Sequence, residues 1–133
     1  MHTIETLEEL IKLATLKKIM ILDFYAGWCK PCKRLSPIFE ELSKCDKYKN
    51  LIFIKVNVDE DLNISKHYEI TSLPTILFLD PTLKVLEKIV GMKKDVIEKT
   101  IEKMALIEIN NEEEINNEQV KEMNNNIFNI DSQ

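Results

Sequence analysis

Two cysteines stand two residues apart in Trp28-Cys29-Lys30-Pro31-Cys32, directly after the apolar run from Ile19 to Tyr25. That run has the length and composition of a buried β-strand. A helical pattern follows from about Lys30, so the cysteine pair sits where a strand hands over to a helix. The unsatisfied N–H groups at a helix start favour negative charge there. A thiol at that point is pushed towards thiolate, the form that attacks disulfides. The chemistry indicated is dithiol–disulfide exchange. Zinc binding fits less well, because zinc wants four ligands and Cys45, His2 and His67 supply no second pair at suitable spacing; no metal is expected. A purely structural bridge also fits poorly, since so short a loop removes little entropy from the unfolded chain.

The elements that must hold this pair follow from hydrophobic spacing. Thr6 to Glu9 has capping-box spacing, with Thr6 as N-cap, and Leu7, Leu10, Ile11 and Ala14 then share one helical face. After the strand at 19–25 a long helix is expected to about Asp46. Pro37 should kink it near its first turns, and Ile38, Leu42 and Cys45 form an apolar stripe in which Cys45 reads as core filler. Leu51 to Val58 is a second apolar strand, and Asp59 to Tyr68 a short helix. Thr75 to Leu79 and Lys84 to Val90 are two further strands, which the turn residues Asp80 to Leu83 join as an antiparallel hairpin. Gly91 ends that unit. Lys93 to about Leu106 is an amphipathic helix through Val96, Ile97, Thr100, Ile101 and Met104. The order α-β-α-β-α-β-β-α predicts helices on a mixed central sheet, with at most a short strand in the first five residues.

The chain of 133 residues, 44% hydrophobic and 31% charged, suffices for one domain with a true core and a tail. Residues 1–106 are the expected domain. Residues 107–133 form an acidic, Asn/Glu-rich tail, expected to be disordered or a short amphipathic helix through Val120, Met123, Ile127 and Ile130. Residues 106–133 carry seven acids against Lys121 alone, while the whole chain is at −5, so the body is nearly neutral. Neither part offers the basic face that nucleic acid requires. No apolar stretch reaches membrane-span length, and the polar, acidic N-terminus resembles neither a signal nor a transit peptide. A cytoplasmic location is therefore expected, where a lone Cys-x-x-Cys reads as catalytic.

The segments Asp23 to Lys33, Pro37, Lys55 to Asp59, Leu73-Pro74-Thr75 and Val90-Gly91 occur in an order and spacing that together resemble the thioredoxin family over about residues 3–105. The resemblance implies an α/β thioredoxin fold, a central mixed sheet of four to five strands flanked by about four helices in three layers. It implies a protein-disulfide reductase in which Cys29 attacks a client disulfide and Cys32 resolves the mixed disulfide, so that Cys29–Cys32 is the redox-active bridge. Asp23, a carboxylate in an otherwise apolar strand, is the candidate to take the proton of Cys32, because burial raises its pKa towards a useful range. Lys55 is expected to approach Asp23 and tune it. Leu73-Pro74 resembles a cis-proline loop whose backbone pairs with an extended client peptide, and Trp28 and Gly91 would complete that surface.

In two places the chain departs from the family pattern. Lys30 occupies a position usually held by Gly, and its cation should stabilise the Cys29 thiolate and make the disulfide somewhat more oxidising. Tyr25 stands where some members have Trp and should change little. No bound cofactor is expected, the electrons coming from NADPH through a thioredoxin reductase to a monomer acting on disulfide-containing clients, away from membranes. The alternatives are an oxidase or isomerase of the disulfide-isomerase kind, favoured only by Lys30, and a thioredoxin-fold module that docks into an assembly through its tail.

Overall fold

In the computed structural model, which describes residues 1–107, the apolar runs form one five-stranded sheet. The elements in chain order are β1 (His2–Thr3), α1 (Leu7–Ala14), β2 (Ile19–Tyr25), α2 (Lys30–Ser43), β3 (Leu51–Asn57), α3 (Ile64–His67), β4 (Thr75–Leu79), β5 (Val85–Val90) and α4 (Lys94–Ala105). The sheet order is β1-β3-β2-β4-β5. β1 and β2 lie parallel to β3, while β4 runs antiparallel to both β2 and β5. β2 is therefore central, hydrogen-bonded on both sides, and its seven residues are buried except for the half-buried Tyr25.

Alternation along β2 splits the core into two layers. Met20, Leu22 and Phe24 pack with Leu7 and Leu10 of α1 and Ile64 of α3. Ile19 and Ile21 pack with Leu35 and Phe39 of α2 and Ile97 and Ile101 of α4. Asp23, two residues after Ile21, is therefore carried on the α2/α4 side. Helices cover both faces, which is the expected three-layer α/β/α arrangement, and the strand near the N-terminus is only two residues long.

Several boundaries differ from the sequence expectation, each for a local physical reason. α2 ends at Ser43, and the chain passes through a 3-10 turn at Asp46–Tyr48 that buries Tyr48 in the core. Cys45 is thus outside the helix and exposed rather than core filler. The buried stripe of α2 is Cys32, Leu35 and Phe39, with Ile38 and Leu42 half-buried. Val96 of α4 is 49% exposed while Ile97, Thr100, Ile101 and Met104 face the core. The helix expected over 59–68 is reduced to Ile64–His67, because Asp61 gathers the chain first. Its carboxylate accepts the backbone N–H groups of Asn63, Ile64 and Ser65 at 2.7 to 3.0 Å, and also the Ser65 hydroxyl. Asn63 in turn accepts the N–H of Leu7 at 2.9 Å, tying this turn to α1.

Loss of the Asp61 carboxylate leaves those donors without their acceptor. Asp61→Ala is expected to destabilise the fold by about 1 to 2 kcal/mol, read as a lower urea midpoint at unchanged slope. An unchanged midpoint would show that water replaces the carboxylate without cost.

The tail expected over 107–133 lies, apart from Ile107, outside the described residues. Among the described residues no helix is long and apolar enough to cross a membrane.

Candidate active site

Cys29 is the N-cap of α2, in extended conformation, and Cys32 lies in the helix's first turn. The two are joined as a disulfide with Cα atoms 5.3 Å apart. The Cys29 sulfur accepts the backbone N–H of Cys32 at 3.3 Å, so an unsatisfied donor of the helix start is directed at this sulfur. Pro31 within the first turn costs no hydrogen bond, because its nitrogen would have had no intrahelical acceptor. Overall exposure barely separates the two cysteines, at 5% for Cys29 and 3% for Cys32. Their difference lies in placement, one before the helix and one inside it. They pack with Ala26, Tyr25, Val58 and Leu73 in a small apolar cluster at the carboxyl ends of β2 and β3.

Asp23 is 1% exposed, and neither carboxylate oxygen has a hydrogen-bond partner among the described residues. Burial raises its pKa to about 7, against a smaller opposing pull from Lys55. Lys55 is its register partner on β3, but the ammonium does not bond to the carboxylate. It donates to the Ser36 hydroxyl at 2.7 Å and lies 4.4 Å from the centre of the Tyr25 ring. Tyr25, expected from the sequence to change little relative to Trp, thus presents its ring to the Lys55 ammonium. Neither contact was legible there. The one available signal for Ser36 was its position four residues after Cys32, on the same face of α2.

The Leu73–Pro74 peptide bond is cis. The Pro74 carbonyl accepts the Gly91 N–H at 2.8 Å, and the Thr75 hydroxyl donates to the Ser72 carbonyl at 2.6 Å. Gly91 has φ +94°, whereas a Cβ placed on it would meet nothing within 4 Å. Its requirement is thus backbone conformation rather than space. Trp28 is 70% exposed, and its indole N–H donates to Asp59 at 3.0 Å, a partner the spacing did not suggest. Trp28, Val58, Ile70 and Leu73 form the apolar part of a groove of about 550 Å³, rimmed by Lys66 and Glu69. Lys30 is exposed. Of the sequence-derived site residues, Cys29, Cys32 and Leu73 share one cluster, Trp28 and Leu73 share the groove, and Gly91 is hydrogen-bonded to Pro74. Asp23 and Lys55 lie side by side within the sheet. Among the described residues no group of three or more metal-ligating side chains occurs.

Comparison with known proteins agrees with this geometry. The family model described as thioredoxin matches residues 2–103. Thioredoxin H1 of Arabidopsis thaliana is 41% identical over 103 residues, covering 77% of this chain and 88% of the relative. Thioredoxin of Mycoplasmoides gallisepticum is 47% identical over 83 residues, 62% of this chain and 80% of the relative. Among solved structures, that of Plasmodium falciparum thioredoxin superposes with a TM-score of 0.71 at 32% identity, covering 77% of this chain and 98% of the other.

Proposed function

Because the chain belongs to the thioredoxin family and is a protein-disulfide reductase, we propose that Cys29 is the attacking thiol, Cys32 the resolving thiol and Asp23 the acceptor of the Cys32 proton. The Cys29 thiolate forms a bond to one client sulfur and expels the other as thiolate. Cys32, its proton passed to the Asp23 carboxylate, then attacks the Cys29 sulfur and releases the second client thiolate. Two electrons have moved from the dithiol to the client, leaving the Cys29–Cys32 bridge present in this structure. The observation that carries this reading is the placement of the pair, with the Cys29 sulfur facing the N–H of Cys32 at the helix start.

Leu73, beside the cis Pro74, offers its backbone to an extended client segment, Trp28 supplies an apolar contact beside the reactive bond, and Gly91 fixes the Pro74 loop through its N–H. Lys55 tunes Asp23 through its charge. No bound cofactor enters the reaction, and the bridge is reopened by electrons from NADPH through a thioredoxin reductase. Residues 1–106 act as a monomeric unit in the cytoplasm, where they support electron transfer and redox homeostasis, away from nucleic acid and membranes.

Equilibration of the Cys29–Cys32 couple with a glutathione or dithiol series tests the direction of transfer. A potential well below that of the glutathione couple is expected, and a value at or above it would assign the protein to disulfide formation or isomerisation. Lys30→Gly removes a cation beside the thiolate-bearing residue and should make the potential more negative by about 5 to 15 mV, a fraction of tenfold in equilibrium constant because the charge is exposed. A shift in the opposite direction would remove Lys30 from the tuning of Cys29.

A further inference from the structure

A buried carboxylate beside an ammonium ordinarily forms a hydrogen-bonded pair with it, since an unpaired buried charge is costly. Asp23 and Lys55 depart from that rule. They are register partners on parallel strands, hence on the same face of the sheet, yet both Asp23 oxygens lack a hydrogen-bond partner among the described residues. The ammonium is engaged elsewhere, by the Ser36 hydroxyl at 2.7 Å and the Tyr25 ring at 4.4 Å. We propose that Ser36 is a positioning residue, which with Tyr25 holds the Lys55 ammonium off the Asp23 carboxyl and so keeps Asp23 a good proton acceptor. This rests on the reading of Asp23 as the acceptor of the Cys32 proton.

Among the described residues, the surroundings of Asp23 leave Lys55 as the cation that acts on its proton affinity. β3 places Lys55 beside it, and β4 opposes it with the apolar Ile76. Its own strand adds Tyr25, whose phenol is affected by the Asp23 charge. α2 covers this face with Leu35 and Phe39 and carries Cys32 and Ser36, while α4 contributes Ile97 and Ile101. Ser36 lies four residues after Cys32 and thus one turn along the same helix face. The helix that supplies the resolving thiol therefore also anchors the cation that would otherwise lower the basicity of that thiol's proton acceptor. A hydroxyl is suited to this task because it accepts from the ammonium without adding charge.

The test is a titration of the Asp23 carboxyl carbon by NMR in full-length, oxidised protein, where the bridged cysteines do not titrate. In Ser36→Ala the released ammonium can pair with Asp23, and the midpoint should fall by about half to one pH unit. Ser36→Thr, which keeps the hydroxyl, should restore the original midpoint. In a Lys55→Met background Ser36→Ala should produce no further shift. An unchanged or raised midpoint in Ser36→Ala overturns the inference, as does a fall that persists without Lys55. The pH profile of protein-disulfide reduction separates this from the role of Asp23. If the NMR midpoint falls as expected while the profile stays fixed, the placement of Lys55 by Ser36 is upheld and Asp23 as proton acceptor is overturned.

Discussion

Substitution of Cys29 by Ser is expected to lower the steady-state reduction of a disulfide-bonded test protein by on the order of 10³-fold or more. The hydroxyl of serine stays protonated at neutral pH and no longer places a polarisable sulfur at the N-cap of α2, so the first bond to the client cannot form. Substitution of Cys32 has a different signature. Cys29 keeps its place before the helix, attacks once and expels one client thiol, and the mixed disulfide then persists because no internal thiol resolves it. Cys32→Ser should therefore release about one thiol per protein and yield a covalent adduct resolvable by mass, while turnover falls as far as in Cys29→Ser. Adduct formation by Cys29→Ser but not by Cys32→Ser would reverse the assignment of attacking and resolving thiols. The exposed Cys45 supplies an internal control, since Cys45→Ser should leave both readouts unchanged.

The parts of this architecture legible in the sequence are those set by local pattern. The apolar runs at 19–25, 51–58 and 75–79 announced strands, and the cysteine pair announced itself by lying between a strand and a helix start. The burial of Asp23 was also legible, because a single carboxylate within seven otherwise apolar or aromatic residues of a central strand has nowhere else to go. What escaped was set by contacts between distant segments. Cys45 continued the spacing of Ile38 and Leu42, but the need to bury Tyr48 ends α2 two residues before it. Asp61 delayed α3 by competing for the N–H groups of its first turn. Lys55 was expected to meet Asp23, which lies beside it, whereas its bond goes to Ser36 on a helix packed over the sheet. Periodicity reports which face a residue occupies, not which of two neighbours on that face wins a hydrogen bond.

Asp23→Asn is expected to stabilise the protein at alkaline pH while slowing its chemistry. In the unfolded chain Asp23 loses its proton near 3.8, and in the fold it keeps it to about 7. Between these values the native state binds more protons than the unfolded state, so this group makes stability fall as pH rises from about 4 to about 7 and level off above. The separation corresponds to about 4 kcal/mol in full, large because the carboxyl is buried and neither oxygen is hydrogen-bonded among the described residues. An amide resembles the protonated acid in shape and charge and does not titrate. Oxidised Asp23→Asn should therefore match the parent near pH 4, exceed it by up to about 4 kcal/mol at pH 8, and show a flatter dependence in urea titrations across that range. A stability difference independent of pH would mean that Asp23 is not the group retaining a proton in the fold. The same substitution removes the proposed acceptor of the Cys32 proton. Decay of a preformed mixed disulfide should slow by up to about 100-fold near neutral pH, with the first attack by Cys29 little affected. The fold thus holds Asp23 where its charge costs stability, and in the proposed mechanism the return is a base whose proton affinity lies near working pH.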